Sequence, residues 1–199
     1  MVLYNIALSG NCHKVRLMLS FLGIDYKLHD LDLGASEQTS DDYLALNPFG
    51  QAPVLNDNGT LVRDSQAILI YLAKKYGAEN WWPENHDELA QIVAWLSTAA
   101  NEVQNGPARL RVHYKFGRQI DFKHATDTSN KVLKIIDSHL SGRHWLVGDT
   151  PTIADIALYP YLTLMHEGHI DMTPYRHIQT WRTRFEGLSD YLAIPGIFE

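Results

Sequence analysis

Three side chains capable of sulfur chemistry lie close together near the start of the chain. The stretch LSGNCHKVR contains a hydroxyl at Ser9, an amide at Asn11 and the single thiol of the chain at Cys12. It follows a short apolar run and precedes an amphipathic pattern, so all three lie near a predicted helix N-terminus, where free amide hydrogens favour negative charge. At such a place a hydroxyl and an amide can donate to a bound anion, and a cysteine can be a nucleophile.

Two further motifs offer groups that suit a small peptide-like ligand. In GQAPVL, Pro53 stands at the head of a predicted strand, where Ala52 can present its backbone to an extended ligand. In RDSQAIL, Asp64 and Ser65 stand at the start of a predicted helix. This position favours a ligand carboxylate, and the Asp64 side chain can accept from a ligand ammonium. The simpler alternatives are a trans proline in an edge strand and plain N-capping.

The composition argues against several other classes of function. The chain has 199 residues and a formal net charge of -6 with dispersed Lys and Arg, which gives no electrostatic basis for binding nucleic acid. Its ten histidines have no metal-ligand spacing and its one cysteine forms no cysteine-rich site, so we expect no metal. It has no apolar run of transmembrane length and no signal-peptide pattern, which predicts a cytoplasmic protein without membrane contacts.

The apolar pattern predicts an α/β domain followed by an all-α domain. Residues 1–77 have the order βαβαββα, with the last two strands joined at Asn-Asp-Asn-Gly. Residues 78–85 are predicted to be a linker, and residues 86–199 a helical domain. Its helices are predicted near 87–117, 123–141, 152–166 and 174–187. Thr152 and Asp155 have capping-box spacing, which predicts a structural and not a catalytic role.

The element order, NPFGQAPVL and RDSQAILIYLAKKYG together resemble the glutathione transferase family over nearly the whole chain. The resemblance implies a thioredoxin-like N-terminal domain, a helical C-terminal domain and glutathione as co-substrate. It also implies a cis peptide bond before Pro53 and main-chain binding of glutathione at Ala52. Asp64 and Ser65 would hold the γ-glutamyl end, where the family usually has Glu-Ser. Such transferases are usually dimers, so we expect a homodimer.

The stretch SGNCHKV is similar to that of bacterial Nu-class transferases, which have Thr-Pro-Asn-Gly-His-Lys here. On that resemblance Ser9 replaces their threonine and Asn11 matches their asparagine, and the theta and delta classes keep a catalytic serine at the place of Ser9. Cys12 is the competing candidate, because beta and omega transferases form a mixed disulfide with glutathione through a cysteine near this point. The other alternative for Cys12 is a packed, unreactive cysteine, since a buried cysteine behaves as a small hydrophobic residue. Motif position also implies that Gln38 and Gln51 contact glutathione.

A positioned donor is expected to matter more than the helix dipole for the glutathione thiolate. An unperturbed thiol has a pKa of about 8.5, and lowering it by two units takes about 2.7 kcal/mol. A helix N-terminus supplies about 0.3–1 kcal/mol, whereas a hydrogen bond to a charged group supplies about 1.5–3 kcal/mol. We therefore predict that Ser9 and Asn11, ahead of Cys12, stabilise the thiolate.

The resemblance implies a glutathione transferase in which the glutathione thiolate attacks a small electrophilic molecule, a reaction typical of detoxification. The electrophile is expected between the two domains, with Arg111 and Tyr114 as candidate lining residues beside Arg109 and Phe116. Two alternatives stay open. One is a glutathione-dependent disulfide reductase or peroxidase, and the other is a non-catalytic interaction module with the same fold.

Overall fold

The N-terminal part of the chain forms a sheet covered by helices. The computed structural model describes residues 1–77 and 81–195. The elements of the N-terminal part are β1 Val2–Asn5, α1 Gly10–Phe21, β2 Lys27–Asp30, a 3₁₀ turn Glu37–Thr39, α2 Asp41–Leu46, β3 Val54–Asp57, β4 Thr60–Arg63 and α3 Ser65–Tyr76. This order confirms the predicted βαβαββα arrangement.

The sheet has the strand order β2-β1-β3-β4, with β1 parallel to β2 and antiparallel to β3. The β3–β4 hairpin turns at Asn58 and Gly59, whose φ angles are 51° and 97°. Asn-Gly adopts such positive angles at little cost, which is why this dipeptide predicts a hairpin. Val54 pairs with Arg63 of β4 and with Tyr4 of β1. The residues that precede β3 and follow β4 therefore lie side by side, next to the end of β1.

The C-terminal part of the chain consists of helices. They are α4 His86–Thr98, a π-helical turn Ala99–Val103, α5 Pro107–Phe116, α6 Phe122–His139, α7 Ile153–Thr163, a 3₁₀ turn Leu164–Gly168 and α8 Arg176–Glu186. The prediction of a single helix near 87–117 is wrong, because the helical conformation is interrupted at Gly106. Pro107 cannot donate to the helical ladder. A β-carbon on Gly106 would lie 3.0 Å from the backbone nitrogen of Ser129, so the glycine allows α6 to approach the break closely.

Helix α7 is the buried centre of the helical part, since every residue of Ile153–Thr163 is buried. The predicted capping box is present, and the Asp155 carboxylate accepts from the amide of Thr152 at 2.9 Å. The same carboxylate accepts from the amide of Leu146 at 3.1 Å and from the indole nitrogen of Trp181 at 2.8 Å. Burial raises the pKa of Asp155 to about 6. One side chain thus joins α7, the preceding loop and α8.

Helix α1 packs directly on α7, so the sheet part and the helical part share a buried interface. A β-carbon on Gly10, the first residue of α1, would lie 2.8 Å from the ring carbon Cζ of Tyr161. Lys14 is fully buried one turn later, with its Nζ 5.5 Å from the centre of the same ring. Burial lowers the pKa of Lys14 to about 7. The first turns of α1 therefore rest on the helical part.

The predicted linker 78–85 lies between α3 and α4. Residues 78–80 of this linker and residues 196–199 of the predicted helical domain lie outside the described part of the chain. The exact division into domains at 1–77 and 86–199 therefore stays a proposal. Within the described ranges, no helix has the length and apolar character needed to cross a membrane.

Candidate active site

A small pocket lies where β3 and β4 meet the starts of α1 and α3. It is lined by residues from five short segments: Asn11, Asn47, Phe49, Gln51, Ala52, Pro53, Arg63, Asp64 and Ser65. Five of the residues predicted to bind glutathione, together with the predicted donor Asn11, therefore line one pocket. The strand register explains this convergence, because it brings the start of β3 and the end of β4 together.

The turn before β3 is held rigidly in front of this pocket. The peptide bond between Ala52 and Pro53 is cis. The backbone carbonyl of Gln51 accepts from the Tyr43 hydroxyl at 2.9 Å and from the Asn47 side-chain amide at 2.6 Å. These two bonds fix the segment that carries Ala52 relative to α2. Its backbone is thus preorganised beside the pocket.

Asp64 and Ser65 begin α3 at the other side of the pocket. Asp64 is the N-cap, with a φ of 73°, and its Oδ1 accepts from the amides of Gln66 at 2.9 Å and Ala67 at 3.2 Å. Capping therefore engages one carboxylate oxygen, while Oδ2 makes no hydrogen bond to any residue in the described ranges. Ser65 is buried, and its hydroxyl donates to the side chain of Gln66. The pair can cap α3 and still offer an acceptor to an ammonium.

Arg63 is a lining residue that the sequence analysis missed. It is the last residue of β4, and its guanidinium lies 4.3 Å from the centre of the Phe49 ring. It brings a positive charge into the pocket beside Asp64, which suits a ligand with both carboxylate and ammonium groups. Its position directly before Asp64 in the sequence could have indicated that Arg63 lines the same pocket.

Ser9 and Asn11 both stand at the start of α1 and both carry polar hydrogens. Ser9 is the N-cap of α1: its Oγ accepts from the Cys12 amide at 3.3 Å, and its hydroxyl also forms a side-chain hydrogen bond with the Cys12 sulfur. Asn11 donates from Nδ2 to Oε1 of Gln104 in the helical part at 3.3 Å, which leaves the second hydrogen of that amide. Asn11 lines the small pocket, and Ser9 lines the adjoining cleft described below.

Cys12 is a packed cysteine rather than an exposed thiol. Its exposure is 0%, and its Sγ accepts from the Ile6 amide at 3.3 Å. Burial raises the pKa of the Cys12 thiol above its usual value, although the contacts with Ser9 and Ile6 oppose the shift. Neither the small pocket nor the cleft is lined by Cys12.

A larger cleft of about 1250 Å³ lies between α5 and the ends of β1 and β2. Gln51 lines both this cleft and the small pocket, so the two cavities adjoin. The predicted Arg111 lines the cleft and is buried, with its Nε donating to Glu167 and its Nη1 donating to the carbonyl of Leu8 at 2.9 Å. The cleft is also lined by Arg109, Val112, Phe116, Arg118 and Tyr161.

Tyr114 does not line this cleft, in contrast to the prediction. Its ring stacks on His169 with ring centres 3.9 Å apart, in a separate hollow. The reason is helical periodicity, because Arg109, Val112 and Phe116 share one face of α5 while Tyr114 falls on another. The sequence motif alone did not tell which face would meet the sheet part.

Gln38 also lies away from both cavities. It belongs to the 3₁₀ turn Glu37–Thr39 and packs against the loop before Pro53, where a β-carbon on Gly50 would lie 2.9 Å from its carbonyl oxygen. Its contact with glutathione therefore stays a prediction. Across the residues described, no cluster of three or more His, Cys, Asp or Glu side chains has the arrangement needed to hold a metal ion.

Comparison with known proteins assigns the family. The model of the glutathione S-transferase N-terminal domain matches residues 3–80, and that of the glutathione S-transferase C-terminal domain matches residues 106–188. Glutathione S-transferase 3 of Zea mays is 32% identical, over 90% of this chain and 86% of the maize protein. The chain belongs to the glutathione S-transferase family.

Solved structures share the fold of this glutathione S-transferase. The enzyme from Pseudomonas fluorescens Pf-5 has a TM-score of 0.91 and 29% identity, with 98% of each chain covered. A glutathione transferase homologue from Drosophila mojavensis, solved with bound glutathione, has a TM-score of 0.86 and 26% identity, covering 94% of this chain and 88% of its own. The predicted family, fold class and enzyme class are confirmed.

Proposed function

We propose that this glutathione S-transferase binds glutathione in the small pocket and joins its sulfur to an electrophilic small molecule in the adjoining cleft. The observation that carries the proposal is the convergence of Ala52, Pro53, Asp64 and Ser65 on one pocket that also contains Asn11. The backbone at Ala52 would pair with the extended tripeptide. The start of α3 would receive its γ-glutamyl carboxylate, and Oδ2 of Asp64 its ammonium.

Ser9 and Asn11 are the proposed donors to the glutathione thiolate. The remaining amide hydrogen of Asn11, which lines the pocket, and the hydroxyl of Ser9, which lines the adjoining cleft, support this role. The Ser9 hydroxyl would turn from the Cys12 sulfur to the glutathione thiolate, which is the stronger acceptor because it is charged. With the thiolate held there, its sulfur attacks the electrophilic carbon of the second substrate. A carbon–sulfur bond forms, and the leaving group departs with the electron pair of the broken bond.

The burial of Cys12 supports a mechanism in which this thiol takes no part. A mixed disulfide with glutathione would require a sulfur that the ligand can reach, and Cys12 has 0% exposure and a raised pKa. Disulfide reduction could still proceed by direct attack of bound glutathione on a second disulfide. The reductase alternative therefore has to be tested by measuring turnover of a disulfide substrate, because the burial of Cys12 alone does not exclude it.

A homodimer and a cytoplasmic, detoxifying role complete the proposal. Phe49 supports the dimer, because this large apolar residue at the rim of the glutathione pocket is 61% exposed in the single chain. A second copy that covered it would close the pocket from outside. Light scattering after size-exclusion chromatography should give twice the chain mass for the wild type, and Phe49→Ser should shift the protein toward the monomer.

The decisive experiment compares binding and turnover with purified protein. We expect retention on immobilised glutathione and faster turnover of 1-chloro-2,4-dinitrobenzene than of a glutathione mixed disulfide. Faster turnover of the disulfide or of a hydroperoxide would favour the reductase or peroxidase alternative. Absence of both retention and turnover would favour the non-catalytic module and contradict the proposal.

A further inference from the structure

The cleft beside the thiolate site has an uneven distribution of charge. Three guanidinium groups line its helical side, from Arg109, Arg111 and Arg118. Asp30 and Asp32 line it where β2 ends. The charges are therefore separated along the cleft, with positive charge on the helical side and negative charge at the sheet. A substrate with one charged end would be oriented by this separation.

Two arginines on the helical side are available to a ligand, whereas each aspartate already accepts one hydrogen bond from a neutral group. Arg109 and Arg118 are exposed, and neither guanidinium forms a hydrogen bond or ion pair with any residue in the described ranges. Asp30 accepts from the side chain of Asn5, and Asp32 accepts from the amide of Ala35 at 3.0 Å. Neither aspartate forms an ion pair in the described part of the chain, so the separation of the two signs along the cleft, and not an excess of positive charge, would orient a charged substrate.

Arg111 adds an independent indication that an anion belongs in this cleft. The residue is only 3% exposed, and contacts with Glu167 and with the Leu8 carbonyl fix its guanidinium. Its remaining terminal nitrogen, Nη2, is buried without a hydrogen-bond partner among the described residues. Buried donors are rarely left unpaired, because the loss of hydration is costly. An acceptor that enters the cleft would satisfy this nitrogen.

We propose that the cleft selects electrophiles that carry a carboxylate on a planar apolar body. Arg109 and Arg118 bind the carboxylate, since the planar guanidinium matches its two oxygens. Val112 and the half-exposed ring of Phe116 supply the apolar surface for the body. This inference rests on the proposed function. For a chlorinated nitrobenzoate, the glutathione sulfur bonds to the ring carbon that holds chlorine, and chloride leaves with the bonding electron pair.

The test compares an acid with its methyl ester, which removes the charge and keeps the reacting ring. The substrates are 4-chloro-3-nitrobenzoate and methyl 4-chloro-3-nitrobenzoate, and each kcat/KM is divided by the uncatalysed rate constant with glutathione. We expect Arg109→Gln and Arg118→Gln each to lower the value for the acid about three- to tenfold, with the ester within about twofold of wild type. The control Arg176→Gln removes an exposed arginine of α8 outside the cleft and should leave both substrates unchanged.

The inference would be overturned if Arg109→Gln and Arg118→Gln lowered kcat/KM equally for the acid and the ester, or lowered it for neither substrate. Binding of unreactive 3-nitrobenzoate and its methyl ester, measured by calorimetry, separates this result from failure of the proposed function. If the enzyme conjugates the ester but binding of 3-nitrobenzoate does not depend on Arg109 or Arg118, the selectivity is refuted and the transferase function stands. If neither chlorinated substrate reacts yet 3-nitrobenzoate binds through these arginines, the transferase function fails and the anion site stands.

Discussion

Replacing Ser9 by alanine is expected to raise the pKa of the thiol of bound glutathione. In the wild type the Ser9 oxygen accepts from the Cys12 amide at 3.3 Å, and in the proposed function its hydroxyl hydrogen turns from the Cys12 sulfur to the thiolate when glutathione binds. Alanine removes that hydrogen, while Asn11 and the start of α1 remain. A hydrogen bond to a charged group contributes about 1.5–3 kcal/mol, and 1.36 kcal/mol corresponds to one pKa unit, so the thiol pKa should rise by roughly one to two units.

The same substitution also removes the N-cap of α1, which should lower the free energy of unfolding by about 1 kcal/mol. The chain offers a matched control for this second effect. Ser40 is the N-cap of α2, its Oγ accepts from the Tyr43 amide at 3.2 Å, and it lines neither cavity. Ser40→Ala should therefore cost a similar amount of stability and leave the thiol pKa unchanged.

The assay is a pH titration of the ultraviolet thiolate absorbance of glutathione bound to wild type, Ser9→Ala, Ser9→Thr and Ser40→Ala. At neutral pH, kcat/KM for 1-chloro-2,4-dinitrobenzene should fall about ten- to hundredfold in Ser9→Ala, in step with the thiolate fraction. Ser9→Thr should retain most of the wild-type kcat/KM, because threonine keeps the hydroxyl. A thiol pKa that shifts no more in Ser9→Ala than in Ser40→Ala would refute the role given to Ser9.

Four other outcomes follow from the contacts described. Asp155→Ala leaves three buried donors without an acceptor and should lower the free energy of unfolding by about 3–5 kcal/mol at pH 7, measured by urea denaturation. Because the folded-state pKa of Asp155 is raised from 3.8 to about 6, the folded protein keeps a proton that the unfolded chain releases between these values. The stability from this proton is fully present below about pH 4 and lost by about pH 6, so the free energy of unfolding should fall by about 3 kcal/mol over this range, and Asp155→Asn should lack that fall in denaturation curves. Cys12→Ala should keep kcat/KM within about twofold, since a buried thiol outside both cavities is only repacked; loss of turnover in a folded protein would contradict this. Arg63→Gln should raise KM for glutathione about three- to tenfold with kcat nearly unchanged, measured at saturating electrophile, and an unaltered KM would exclude Arg63 from binding.

The fold was predictable where local chemistry determines local structure. The Asn-Gly hairpin and the capping box at Asp155 both depend on residues within a few positions of one another, and both are present. The break at Gly106 was missed although Gly106-Pro107 is a local breaker signal, because the apolar pattern continues across it. The close approach of Ser129 from α6 is a second contribution, and this contact between segments is not contained in any local pattern.

The sequence predicted those residues of the candidate site that belong to short motifs. Asn11, Pro53 and Asp64 fall on one pocket because each lies at the end of a strand or the start of a helix, and the sheet brings those ends together. The prediction that Tyr114 lines the cleft was wrong, because the orientation of α5 about its axis depends on packing against the sheet part. The burial of Cys12 likewise depends on the turn near Ile6 folding over the sulfur, which the sequence around the cysteine does not reveal.

The contact of Gly10 with Tyr161 limits how this enzyme can be recombined with its relatives. The turn that carries Ser9 and Asn11 lies against an aromatic ring encoded some 150 residues later, at a distance that admits no side chain on residue 10. A chimaera that took its C-terminal half from another transferase would inherit a different partner for that turn. Replacing the C-terminal half would therefore be expected to alter the reactivity of the bound glutathione sulfur as well as the choice of electrophile.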